Sequence, residues 1–421
     1  MQKIKVIEAF AGYGSQAMAL KRAGVNFKTV AIIENDKYAS AAYNAVHGET
    51  PNFGDITKVN PKELPDCGLF TYSFPCTDVS IAGRGDGINE NTRSGLLWHC
   101  ERIIAEKLPE TLLCENVKNL ISKKHIGGFK KWCHRLESLG YRNYWQVMNA
   151  KDYGVPQNRE RFFMVSIRGD HQSFIFPDQQ PLDKKLCDTL EEHVDEKYFL
   201  SQKAIEGFLK HKDRHDKSGN NFGFKPHIDL DVVANCIGTG QNYRPTDNFI
   251  AVGVRQVGRN PENPKSRIAG LPTEQMLEFN NQPWSNCITT VQKDAMVGVI
   301  KIGNIHPSKR GMNGNVYRDR GLCPTITTNK GEGIKIMQGE LLFIVRKLTP
   351  KECFRLMDVN DADFDKIKSA LINKFYKGKD KANNQLYKMA GNSIVVACME
   401  QIFTNLYVGV QNKKEYQTLL F

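Results

Sequence analysis

Ile4-Lys5-Val6-Ile7-Glu8-Ala9-Phe10-Ala11-Gly12-Tyr13-Gly14-Ser15 is a short apolar run that breaks on two glycines. Residues 16–23, with Ala17, Met18, Leu20 and Ala23, then take up helical spacing. Strand, glycine turn and helix in that order make the first half of a βαβ unit. The pattern repeats outward. Residues 29–33 read as strand, 37–47 as helix, and 67–73 as strand; 94–106 form an amphipathic helix with Leu97, Ile103 and Ile104 on one side. Residues 111–114 are a strand ending at Glu115, 129–139 a helix, and 144–148 and 161–167 strands. Such alternation predicts an α/β fold whose mostly parallel sheet is covered on both faces.

From about residue 170 helical periodicity weakens, while Gly, Pro, Asn and Thr become common among scattered basic residues. This predicts a second, smaller, β-rich domain. It carries an echo, Cys236-Ile237-Gly238-Thr239, Cys287-Ile288-Thr289-Thr290 and Thr325-Ile326-Thr327-Thr328, which strand propensity or a true repeat would equally produce. Helical pattern returns at Thr349-Pro350-Lys351-Glu352, a capping-box start with proline at the first helical position. The last helix, 394–406, follows the turn Gly391-Asn392-Ser393, and its apolar face is expected to fold back onto the first domain.

The chain has 421 residues, 40% of them hydrophobic, enough for two domains with proper cores. No membrane span or signal peptide is visible, so a cytoplasmic protein is expected. Eleven cysteines, with no Cys-x-x-Cys pair, read as reduced thiols and give no metal site. A formal net charge of +12 favours a polyanionic partner.

Three places carry candidate chemistry. In Phe70-Thr71-Tyr72-Ser73-Phe74-Pro75-Cys76 a strand stops at proline, and the thiol that follows enters a loop holding Gly83, Gly85 and Gly87. Cys76 is either a buried structural cysteine or a nucleophile at a strand's carboxyl end, where α/β sheets bind ligands. Glu115, in Cys114-Glu115-Asn116-Val117, ends a neighbouring strand. It either caps the next helix or, kept protonated by burial, donates a hydrogen bond to substrate. Arg159 and Arg161, in Pro156-Gln157-Asn158-Arg159-Glu160-Arg161, project to one side of an extended chain, suiting a phosphate, an exocyclic oxygen or plain solvent. Beside these, Gly12 and Gly14 allow close backbone approach at a helix N-terminus, and Glu34 lies twenty positions beyond Gly14, where a ribose-binding carboxylate sits. The third fingerprint glycine and a Walker lysine are missing, so one adenosine moiety fits better than a dinucleotide or triphosphate. Asp55 is placed to accept from an adenine amino group.

Taken in order, Phe-Ala-Gly-x-Gly, Ser-Phe-Pro-Cys, Thr92-Arg93-Ser94-Gly95-Leu96-Leu97, Glu-Asn-Val, Gln-x-Arg-x-Arg, Leu348-Thr349-Pro350-x-Glu352 and Gly391-Asn392-Ser393 resemble the DNA (cytosine-5)-methyltransferase family of bacterial or phage restriction-modification type, across nearly the whole chain. The resemblance implies a Rossmann-like sheet dependent on S-adenosylmethionine, formed by residues 1–170 and 384–421, with a target-recognition domain at 171–383. It implies that Cys76 adds to carbon 6 of a flipped-out cytosine in a specific double-stranded DNA sequence. Glu115 then bonds the base's N3 and amino group, Arg161 approaches its O2, and Arg159 supports Glu115. Carbon 5 takes the methyl group, leaving S-adenosylhomocysteine. Phe10, Gly12, Gly14, Glu34, Asp55, Ile56, Pro75, Leu96, Asn392 and Ser393 match the cofactor pocket. Ser80, Arg84, Tyr317, Arg318, Thr325 and Ile326 match DNA contacts. The implied role is protection of DNA from restriction by a monomer, any cognate endonuclease being a separate chain. A transfer-RNA cytosine methyltransferase is the alternative. The sequence departs from the family at Glu8 (usually Asp), Ser15 (usually Gly), Asn35 (where an aromatic faces adenine in relatives) and Thr77 (commonly Gln).

Overall fold

A computed structural model describes residues 3–75, 93–201, 204, 205, 207, 208, 210, 211, 214, 232–237, 249–259, 274–280, 303–304, 315–318, 335–337 and 344–409. The chain divides into two compact units. The first comprises Met1–Lys184, Val233–Asn242 and Pro350–Phe421, the second Lys185–Val232 and Tyr243–Thr349.

The first unit is built on six strands in the order β2-β1-β3-β4-β7-β5. These are β1 (Ile4–Ala9), β2 (Phe27–Ile33), β3 (Leu69–Tyr72), β4 (Thr111–Val117), β5 (Tyr141–Asn149) and β7 (Glu160–Arg168). The first four are parallel, and β7 runs antiparallel to both β4 and β5. Between them lie α1 (Ser15–Arg22), α2 (Lys37–His47), α3 (Leu97–Lys107) and α4 (Ile126–Ser138).

Alternation along the strands divides the core between the two faces. Ile7 and Ala9 of β1, with Phe70 and Tyr72 of β3, pack into one cluster with Leu97, Ile103 and Ile104 of α3 and Phe129, Trp132 and Leu136 of α4. Glu8 points the other way, accepting from the Tyr43 hydroxyl on α2 at 2.5 Å and from Thr29 at 3.0 Å. α2 starts at Asp36, whose carboxylate accepts from the Tyr38 amide, and stops at Gly48 with φ of 85°.

Three segments expected in the second domain, 171–184, 233–242 and 350–383, fall in the first unit instead. The helices Pro350–Leu356 and Asp361–Tyr376 belong to the first unit, because their apolar sides face it. Phe354 meets Tyr13 at 5.1 Å between ring centroids, and Phe375 meets Tyr38 at 4.5 Å. Phe354 and Tyr13 are fully buried and contribute roughly 1.5–3 kcal/mol each, while Phe375 and Tyr38 are half-buried and contribute less. Residues 233–242 belong there too: β8 (Ala234–Asn235) pairs in parallel with β6 (Gln157–Asn158). The helix Val396–Tyr407 folds back on α1 as expected, with Arg22 paired to Glu400 at 2.6 Å.

In the second unit, Phe249–Arg259 lies between antiparallel Glu274–Asn280 and Ile344–Lys347. Asn315–Arg318 pairs with Gly303–Asn304 and Lys335–Met337. Phe249, Leu200 and Ile205 form a small core. Among the described residues no helix is long and apolar enough to cross a membrane, and the eight described cysteines are free thiols.

Candidate active site at the carboxyl ends of the strands

Strand register aligns the candidate residues along one edge of the sheet. Ala9 stands opposite both Ile33 and Tyr72, and Tyr72 opposite Cys114. The residues that come next, Phe10, Glu34 and Ser73 to Pro75, therefore leave the sheet side by side at its carboxyl end, next to Glu115, which stays in β4 paired with Phe163.

On the β1–β2 side the turn is tight. Phe10 has φ of 56° and its amide donates to Ile33 O at 2.8 Å; Gly12 has φ of 58°. The Gly12 amide donates to Glu34 Oε2 at 3.0 Å, and the Asp36 amide to Oε1 at 2.7 Å. Burial pushes the Glu34 carboxyl up, while those two amides oppose the shift. A Cβ built on Gly12 would meet open space, so this part of the turn leaves room for a ligand beside an acceptor. Gly14 differs. Its Cβ would lie 2.3 Å from His47 Nε2 and 2.7 Å from Tyr43, and its φ is 85°. Close approach at Gly14 therefore serves packing of α2 in this structure. Asp55 is half-buried and caps the short turn Ile56–Lys58 by accepting from the Thr57 amide and hydroxyl; Ile56 is buried. Leu96 packs against the core, and Asn392 is exposed.

On the β3–β4 side, the Asn116 side chain donates to Phe74 O at 3.1 Å. This fixes the end of β3 just before Pro75 and explains the asparagine of Glu-Asn-Val. Glu115 is 9% exposed. Burial raises its carboxyl above the ordinary range, opposed by Arg161, Arg159 and the Ser73 hydroxyl. Arg161 Nε lies 3.3 Å from Glu115 Oε1.

Arg159, at 3% exposure, does not close on Glu115 with a hydrogen bond. Its Nη2 donates to Gly391 O at 2.9 Å and Ser393 O at 2.7 Å, and its Nη1 to Ile237 O at 3.1 Å and Cys236 Sγ at 3.3 Å. Its support of Glu115 is electrostatic. The Ser393 hydroxyl in turn donates to Ser15 Oγ at 3.3 Å, which gives the departure at position 15 a partner. Glu34, the glycine turn, Ser15, Ser393, Arg159, Arg161 and Glu115 thus form one connected series.

Two contributors escaped sequence reasoning. Gln157 accepts from the Ile237 amide at 3.1 Å and donates to Leu356 O at 2.6 Å, stapling residues 236–237 beside the arginines. Cys236 arrives by that route; the Cys-Ile echo marked it without locating it. Tyr317 and Arg318 lie in the strand Asn315–Arg318 of the second unit. Cys76, Ser80, Arg84, Thr325 and Ile326 lie outside the described residues.

Comparison with known proteins accords with this geometry. A family model described as C-5 cytosine-specific DNA methylase matches residues 4–407. The type II methyltransferase M2.ScrFI of Lactococcus lactis subsp. cremoris is 30% identical, covering 96% of this chain and 99% of its own. The orphan methyltransferase M.SPRI of Bacillus phage SPR is also 30% identical, covering 98% and 100%. Among solved structures, the Entamoeba histolytica methyltransferase EhMeth superposes with a TM-score of 0.60 at 16% identity, over 97% of this chain and 100% of that one. At that identity the likeness speaks for the fold. The chain belongs to the C-5 cytosine-specific DNA methylase family, and is a DNA (cytosine-5-)-methyltransferase.

Proposed function

We propose that this enzyme methylates carbon 5 of a cytosine turned out of a specific double-stranded DNA site, through a transient bond between Cys76 and carbon 6, using S-adenosylmethionine. The observation that carries the proposal is the pairing of Glu115, its carboxyl raised by burial, with Arg161 at 3.3 Å on the sheet edge where β3 leads into Cys76. Unaided, cytosine carbon 5 is too weak a nucleophile to accept a methyl group. Addition of the Cys76 thiolate to carbon 6 pushes electron density onto carbon 5 and N3. Glu115 in its protonated form donates to N3, and Arg161 holds O2. Once carbon 5 carries the methyl group, a base removes its remaining proton. The carbon 6–sulfur bond then breaks and the ring double bond re-forms, returning the thiolate.

The residues fit the cofactor. Glu34 offers carboxylate oxygens to ribose hydroxyls, Gly12 leaves space, and Phe10, Asp55, Ile56, Pro75, Leu96, Asn392 and Ser393 complete its surroundings. S-adenosylmethionine, when bound, supplies the methyl group as a sulfonium. Arg159 and Arg161 contribute positive potential that favours a thiolate.

Carbon 6 is hidden in a stacked duplex, so the base must leave the stack, as methyltransferases generally require. The second unit is assigned to target recognition, with Tyr317 and Arg318 among its DNA contacts, and DNA affinity is expected to fall steeply with salt. The experiment is base-resolution methylation sequencing of DNA from cells expressing the wild type or Cys76→Ser, with transfer RNA analysed in parallel. Methyl marks at one DNA motif that vanish in the variant support the proposal. Marks that persist in Cys76→Ser, or that fall on transfer RNA alone, overturn it.

A further inference from the structure

Cys236 stands apart from everything the methyltransfer chemistry requires. Residues 233–237 enter the first unit as a brief strand paired with β6, with Gln157 holding the Ile237 amide. That places Cys236 Sγ 3.3 Å from Arg159 Nη1 and 3.9 Å from Arg161 Nη2. The sulfur spans the two guanidinium groups, while Arg161 meets Glu115 through its Nε and donates from Nη1 to Glu160 O at 2.8 Å.

We infer that Cys236 is a positioning residue of this active site: its sulfur is the shared acceptor that joins Arg159 to Arg161 and so holds Arg161 against Glu115. The inference rests on the reading above in which Arg161 and Glu115 grip the base. Two adjacent guanidinium groups repel one another, and Arg159 is additionally anchored to the carbonyls of Gly391 and Ser393. An acceptor shared between them offsets that repulsion and helps fix Arg161, the one that lies against Glu115. Charge agrees with geometry. Cys236 is exposed, and although desolvation of its sulfur by itself would raise the thiol, the charges of Arg159 and Arg161 outweigh it and the net shift is downward. The charged groups facing the sulfur are those two arginines, with Glu115 beyond Arg161.

The test uses the full-length protein with S-adenosylhomocysteine as the binding probe, read by calorimetry, and duplex DNA as methyl acceptor. Cys236→Ala is expected to lower the maximal methylation rate about tenfold while cofactor-product affinity stays within about twofold, and Cys236→Ser, which keeps an acceptor, to recover within about threefold of wild type. A Cys236→Ala rate within twofold of wild type overturns the inference, as does an equal loss of S-adenosylhomocysteine binding. A second measurement needs no activity: the pH profile of Cys236 alkylation by iodoacetamide, read by peptide mass spectrometry. The midpoint is expected below that of an ordinary thiol, about 8.5, and to move up in Arg161→Met. An ordinary midpoint unmoved by Arg161→Met overturns the inference. If wild-type protein transfers no methyl group to DNA, the functional reading fails, and the alkylation profile alone decides whether the sulfur bridges the arginines.

Discussion

The parallel half of the sheet and the antiparallel half hold their functional groups by different means. In the parallel half, β2-β1-β3-β4, Gly12 and Glu34 bond across 22 positions and Asp55 binds Thr57 two positions on. In the antiparallel half, the side chains of Gln157 and Arg159 reach residues between 77 and 234 positions away. The cofactor-side groups sit in turns whose shape is set by neighbouring backbone. The base-side groups are held by side chains that gather three remote segments: 236–237, 356–357 and 391–393. The first arrangement is local and replaceable, and the second is tertiary and concentrated in few residues.

Arg159→Met gives the largest test of this contrast. It removes a buried cation and leaves the carbonyls of Ile237, Gly391 and Ser393 without their donor, a loss of about 3–5 kcal/mol. Glu34→Gln, on the parallel side, is expected to cost about 1–2 kcal/mol, because the amide oxygen keeps one of the two backbone donors, Gly12 and Asp36, while the amide NH2 faces the other. Urea unfolding of both variants measures the difference. Equal losses would erase the distinction between the halves.

Within the parallel half, the two glycines sharpen the comparison. Gly12→Ala places a methyl group in open space at φ of 58° and is expected to cost about 1 kcal/mol, the backbone term alone. Gly14→Ala adds a clash with His47 and Tyr43 to a φ of 85° and is expected to cost about 2–4 kcal/mol. Thermal unfolding ranks them. A cost at Gly12 that matches Gly14 would mean its surroundings are closed.

The sequence was most readable where one periodicity governs one element. The βαβ alternation, the strand end at Glu34 and the return of the last helix to the first domain all follow from apolar spacing and breakers, whereas β4 runs two residues past its expected end at Glu115. Domain limits were less readable. Capping and periodicity mark the helix at Pro350, but which core covers its apolar side depends on Tyr13, several hundred positions earlier. Gly14 reads as ligand approach until His47 is placed against it. The two residues of β8 have no periodicity at all, so Cys236 could be noticed as part of an echo but not set beside Arg159. Departures from the family pattern were visible as letters, while their partners, Tyr43 for Glu8 and Ser393 for Ser15, were not.

The comparison narrows last to fully buried Glu8 and half-buried His47, two titrating groups that both meet Tyr43. Burial raises Glu8 to about 7, against hydrogen bonds from Tyr43 and Thr29 that lower it. Burial lowers His47 to about 4, against its bond to Tyr13 O. A raised carboxyl means the folded chain holds the proton more tightly, so the stability it contributes is complete below about 4.5 and lost as pH climbs to about 7. A lowered histidine acts in the opposite sense, withdrawing stability as pH falls from about 6.5 to about 4. Between about 4.5 and 6.5 the two slopes oppose each other, each near 1.4 kcal/mol per pH unit at most. Stability profiles from urea unfolding should therefore tilt oppositely when either group is replaced. Relative to wild type, Glu8→Gln should gain about 2–3 kcal/mol on going from pH 4.5 to 7, and His47→Gln should lose a similar amount between pH 4 and 6.5. Parallel profiles for all three proteins would show that neither group's pKa differs between the folded and unfolded chain, and would leave the packing of Tyr43 against the glycine turn as the whole of their contribution.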